Sequence, residues 1–170
     1  MGFTPSYLGH VNIYVRNAAA AREWYESVLG LHTYDFKEGR AAFMSADLNQ
    51  SHEIALMEVG ENADGPRAGQ VGLNHMAWRM GSLEDLADFY NNLKARNVPI
   101  QRVSDHGLSL GIYIKDPDGN GIEVYYETPR EEWHRQDNLF MSGDRPQGNF
   151  PGPWEADLVP DGVAAAANRN

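Results

Sequence analysis

Six histidines and one oddly placed glutamate carry the chemistry open to this chain. The histidines are His10, His32, His52, His75, His106 and His134. The glutamate is Glu123, in the run GIEVYYE, where Ile122, Val124 and Tyr126 alternate with Glu123 and Tyr125 as in a half-buried strand. That alternation turns the carboxylate toward the face its apolar neighbours avoid. Burying a lone carboxylate costs several kcal/mol unless it is paired or bound to a cation. Tyr113 lies ten residues before Glu123, and His106 seven before that. The chain has no cysteine, so a bound metal would be held by imidazoles and carboxylates.

An internal repeat supplies the elements that must position these groups. HVNIYVRNAAAAREWYESVLGL, from His10, lies over HMAWRMGSLEDLADFYNNLKAR, from His75, at an offset of 65 residues and without a gap. His10 meets His75, Ala21 meets Leu86, Trp24 meets Phe89, Tyr25 meets Tyr90 and Val28 meets Leu93. Each copy predicts a short opening strand, a turn, and a helix with one apolar face. Ser82 reads as an N-cap with Asp85 in the place of a capping-box acid, Gly30 as the end of the first helix, and Pro99 as a stop after the second. AAFMSADL and HEIALMEV then read as strands in the first copy, LGIYIKD and GIEVYYE in the second, with DPDGNG as a hairpin loop between the last two. Each half is thus a strand, a helix and about three strands.

Because His10 and His75 share one position of the repeat, pairing the two half-sheets about a pseudo-two-fold axis would bring both toward Glu123. Two neutral imidazoles and a carboxylate form the three-ligand set that suits non-haem Fe(II) and leaves coordination positions open. The expected fold is α+β: two paired βαβββ modules forming a curved mixed sheet around a metal site. The expected bounds are module 1 over about 7–60, a polar linker over 61–70, module 2 over 71–127, and a tail over 128–170, all within one domain. The tail carries Trp133, Phe140, Phe150 and Trp154 among Pro and Gly, suited either to a cover beside the site or to a seal on the outer sheet or a subunit interface. VAAAANRN reads as a frayed end.

Composition narrows the partners. A net charge of -10 and a pI near 4.9 argue against nucleic acid or an anionic membrane. No apolar run approaches the roughly 20 residues of a membrane span. MGFTPSYLGH lacks the regions of a signal peptide, so a cytoplasmic location is expected. Exposed sheet edges and apolar area make a homo-oligomer the expected state.

On these residues the chain resembles the vicinal oxygen chelate superfamily, and within it the type I extradiol ring-cleavage dioxygenases (the catechol 2,3-dioxygenase-like enzymes) in a single-domain form. The motif of those enzymes is matched by His106, Ile112-Tyr113, Asp116-Pro117, Gly119 and Glu123, while Ser104, two before the histidine, departs from their usual small set. SHEIALMEV is similar to their stretch holding another active-site histidine, which falls on His52. The resemblance covers roughly residues 7 to 133. It implies His10, His75 and Glu123 as ligands of Fe(II), with Mn(II) the alternative metal. It also implies His52 as the acid/base that assists oxygen activation and O–O cleavage, and His106 and Tyr113 as hydrogen-bond donors to the substrate oxygens. The implied activity is cleavage of a catechol-type ring by O2 to a ring-opened semialdehyde.

Two other readings share the fold. A glyoxalase-like isomerase or epimerase typically draws a fourth ligand from the last strand of the first half. Overlaying the final strands puts Ile54 in the place of Glu123, with neighbouring Glu53 facing the other way. A non-catalytic small-molecule binder would not need this set of histidines, Tyr and Glu. DPDGNG does not fit an EF-hand loop and reads as a turn. Asn12 shares a face with His10 and is expected at the pocket wall, whereas His32 and His134 read as structural or surface residues.

Overall fold

The alternating segments pair as strands in the computed structural model, which describes residues 2–133 and 150–159. The first copy contains β1 (Val11–Val15), α1 (Ala18–Leu29), β2 (His32–Lys37), β3 (Ala41–Ser45) and β4 (Ile54–Glu58). The second contains β5 (Met76–Arg79), α2 (Leu83–Ala95), β6 (Ile100–Asp105), β7 (Ser109–Lys115) and β8 (Gly121–Glu127). The two four-stranded sheets share one topology, β1-β4-β3-β2 and β5-β8-β7-β6. In each, the opening strand runs parallel to the last and the other pairs are antiparallel. The architecture is therefore α+β, built of two βαβββ modules with mixed sheets. β2 and β6 supply the third strand that each half is expected to carry after its helix.

Both helices start on equivalent side chains. Asn17 accepts from the Ala20 N–H and Ser82 from the Asp85 N–H, each satisfying a donor that the first turn leaves over. Gly30 closes α1 at φ 71°, where a side chain would be strained. The buried face of α1 is Ala18, Ala21, Tyr25 and Val28; that of α2 is Leu86, Phe89, Tyr90 and Leu93. α1 packs on β3 and β4 and α2 on β8, and Ile13, Val15, Ile54 and Leu56 in one sheet and Ile112, Ile122 and Val124 in the other are buried.

The chain divides into two compact units. The first runs to Gly65 and includes Asp116–Asp118, and the second is Pro66–Lys115 with the described residues from Gly119 onward. In the first, Tyr25 donates to buried Asp116, and Arg16 pairs with Asp118 at 2.8 Å. In the second, residues 150–159 pack on the helix side of the sheet. Trp154 is fully buried with its ring edge-on to Tyr90, Phe150 meets Tyr126, and the Val159 N–H reaches the Val103 carbonyl on β6. Tyr126 shares its face with Ile122 and Val124, so this segment seals the face opposite Glu123 rather than forming a wall beside it. Phe140, His134 and VAAAANRN lie outside the described residues. No helix among the described residues is long and apolar enough to cross a membrane.

Candidate metal centre

Ladder register brings the polar residues of module 2 onto one face. Glu123 stands directly opposite Tyr113 on β7 and Ala77 on β5. The turn from 116 to 120 holds five residues, and that odd number puts Tyr113 and Glu123 on the same side of the hairpin. The Tyr113 hydroxyl donates to Glu123 Oε1 at 2.8 Å. With its proton committed there, the phenol oxygen accepts from His106 Nε2 at 3.2 Å. His75 Nε2 lies 3.0 Å from Glu123 Oε2, so the two carboxylate oxygens face two different partners.

The electrostatics follow from partial burial. Desolvation pushes the Glu123 carboxyl up, but the hydrogen bonds from His75 and Tyr113 outweigh it, and the net effect holds the group below its ordinary value. Burial and the adjacent Glu123 charge raise the Tyr113 phenol, keeping it protonated at neutral pH. Arg102, opposite Tyr113 on β6, stacks its guanidinium 3.9 Å from the ring centroid. Arg102 was missed by sequence reading; only its strand position, four residues before His106, could have flagged it.

Space around the carboxylate depends on one glycine. A Cβ at Gly111 would stand 2.2 Å from Glu123 Oε1 and 3.1 Å from Tyr113 Cε2. The absent side chain leaves the cradle in which Glu123 turns. Donor type and separation also fit a cation: an imidazole nitrogen and a carboxylate oxygen 3.0 Å apart can occupy adjacent coordination positions at bond lengths of roughly 2.1 Å.

Module 1 gathers two further candidates. His10 and His52 rings lie 4.4 Å apart, and Phe43 meets His52 edge-on. His52 Nδ1 is 3.1 Å from the Ser51 hydroxyl. His10 and His75 were expected within the opening strands; each instead sits one residue before its strand, where backbone pairing has not begun. Among the described residues no group of three or more His, Asp or Glu side chains forms a metal cluster; the ligand pair in contact is His75 with Glu123.

Register corrects one overlay. Val11 pairs with Ile54 as Met76 pairs with Ile122, so the counterpart of Glu123 is Ala55, not Ile54. Ala55 is buried and has no ligating atom. Glu53 is occupied elsewhere, its carboxylate accepting from the Ser45 hydroxyl and the Ala46 and Asp47 N–H groups.

Residues 7–124 match the model of the Glyoxalase/Bleomycin resistance protein/Dioxygenase superfamily. The chain is 29% identical over 169 residues to biphenyl-2,3-diol 1,2-dioxygenase 2 of Rhodococcus globerulus, covering 97% of this chain and 85% of that protein. It is 30% identical to biphenyl-2,3-diol 1,2-dioxygenase 3 of the same organism, over 77% of this chain and 70% of the relative. Among solved structures, a glyoxalase/dioxygenase from Nostoc punctiforme superposes with TM-score 0.63 at 18% identity, over 76% of this chain and 98% of the other. Lactoylglutathione lyase from Agrobacterium tumefaciens does so with TM-score 0.58 at 24% identity, over 72% and 95%. These two likenesses carry the fold alone.

Proposed function

Since the chain belongs to the glyoxalase/bleomycin resistance protein/dioxygenase superfamily, we propose that it is an extradiol dioxygenase. Its substrate class is a catechol, cleaved beside the diol with both atoms of O2 entering a ring-opened semialdehyde. His10, His75 and Glu123 hold Fe(II), or Mn(II), whose ligand preference is close. The observation that carries the reading is the line His106–Tyr113–Glu123–His75, four polar side chains in hydrogen-bonding reach on one sheet face. The names of the relatives, dioxygenases acting on biphenyl-2,3-diol, support the substrate class.

When bound, the ferrous ion supplies the electron transfer that lets triplet oxygen react with a singlet aromatic ring. The chain's own residues do the rest. Tyr113 keeps its proton at neutral pH, and with substrate bound it and His106 exchange the hydrogen bonds they make to Glu123 and to each other for bonds to the diol oxygens, orienting them and steadying developing charge. His52 is the acid/base, because an imidazole can take and return a proton near neutral pH. Ala55 in the counterpart position of Glu123 favours a three-ligand site over the four-ligand isomerase.

Anaerobic loading with Fe(II), then oxygen uptake across a panel of catechols, tests the proposal. The expected result is uptake with a yellow product. No uptake from fully iron-loaded protein across a broad panel would overturn it. Metal analysis of the protein as isolated separates the alternatives: stoichiometric Fe or Mn supports the dioxygenase, and Ni or Zn supports the isomerase.

A further inference from the structure

We propose that Asn74 is a positioning residue that selects the metal-binding tautomer of His75; the inference rests on His75 being a ligand, as above. The Asn74 side-chain oxygen lies 2.6 Å from His75 Nδ1. An amide oxygen only accepts, so Asn74 holds the proton on Nδ1, and the Nε2 side, whose proton faces Glu123 Oε2 at 3.0 Å in the metal-free chain, is the one a cation would take. A second observation shows that the dipeptide is held in place. A Cβ at Gly121 would lie 2.3 Å from the Asn74 carbonyl oxygen and 3.2 Å from the His75 Cβ, so the first residue of β8 must be glycine for strand and dipeptide to approach this closely. The repeat supplies an internal contrast. His10 follows Gly9, which has no side chain to offer, and rests against the His52 ring instead. His75 is thus the imidazole whose proton is placed by its own neighbour.

The test uses the full metal-free chain and Co(II), with affinity measured by competition against a chelator and site geometry by the visible absorption of bound cobalt. Asn74→Leu and Asn74→Gly, the latter copying module 1, are expected to weaken binding about 10- to 100-fold and alter the spectrum. Asn74→Asp restores the acceptor and is expected to bind within a few-fold of wild type. Thermal midpoints of the metal-free variants should stay near wild type, separating positioning from misfolding. Wild-type affinity in both Asn74→Leu and Asn74→Gly overturns the inference, as does an Asn74→Asp protein as weak as Asn74→Leu. His75→Ala and Glu123→Gln keep the two readings apart. If these also bind cobalt normally, the metal site itself is wrong; if they lose it while Asn74→Leu and Asn74→Gly do not, the role of Asn74 alone fails.

Discussion

The Glu123 carboxylate is poised by what surrounds it, and the tightest constraint is a missing atom. Gly111→Ala places a methyl 2.2 Å from Glu123 Oε1, so the carboxylate must move. Overpacking of this kind costs about 1–3 kcal/mol, so a fall of a few degrees in thermal midpoint is expected, alongside a far larger loss of Co(II) affinity. Wild-type metal affinity in that variant would show that the carboxylate is not held where the ligand role needs it. His52 makes the complementary case. Phenylalanine can keep its ring contacts with His10 and Phe43 but cannot move a proton. His52→Phe should therefore retain iron and bind catechol, yet turn over about 10²–10⁴-fold more slowly. Loss of iron instead would make His52 a ligand and break the assignment.

At the scale of elements, the second module is finished by a segment distant in sequence. Trp154 is buried beside Tyr90, and the backbone of 158–159 caps the outer edge of β6. Trp154→Ala should cost about 3–5 kcal/mol of stability while leaving catechol preference unchanged, because this segment lies opposite the Glu123 face. A changed ranking of substrates would contradict that separation of faces. Asp157 adds a polar latch, accepting from Tyr90 and Lys94 at 2.6 Å each. Those contacts, Lys94 first, hold its carboxyl below the ordinary value. A carboxyl whose folded pKa is depressed stabilises above its unfolded pKa and loses that contribution as pH falls through the folded value. Asp157→Asn should accordingly lower the thermal midpoint slightly at neutral pH. The difference from wild type should close as pH falls below about 4, and should shrink in high salt because the pair is solvent-exposed. An equal deficit at all pH values would assign the effect to packing.

Across the whole molecule, the proposed ligands come from both modules, His10 from the first and His75 and Glu123 from the second. A cation held by all three stabilises the folded chain by mass action, about 2.7 kcal/mol at a free concentration one hundred times the Kd. For a chain of this length that corresponds to a rise of about 5–10 °C in thermal midpoint on adding Co(II) or Mn(II). The rise should disappear in His10→Ala and in His75→Ala alike. A full rise in His10→Ala, with none in His75→Ala, would leave His10 outside the site and confine the metal to module 2.

By itself the sequence determined the repeat, the helix caps at Gly30 and Ser82, and the hairpin over DPDGNG, because periodicity, capping and turn chemistry act between residues a few places apart. It also marked Glu123, since a carboxylate in an apolar alternation is visible from its immediate neighbours. The pairing of Tyr113 with Glu123 was half legible: the turn length is written in the chain, but where the strands end is decided by the ladder. Only the tertiary structure decided the rest. That Ala55 and not Ile54 answers Glu123 depends on the register of a parallel pair whose strands are far apart in the chain. Arg102 over Tyr113, Gly111 under the carboxylate and Gly121 against Asn74 likewise arise where one strand passes another. Such contacts are set by packing across the sheet, which no local pattern of residues encodes.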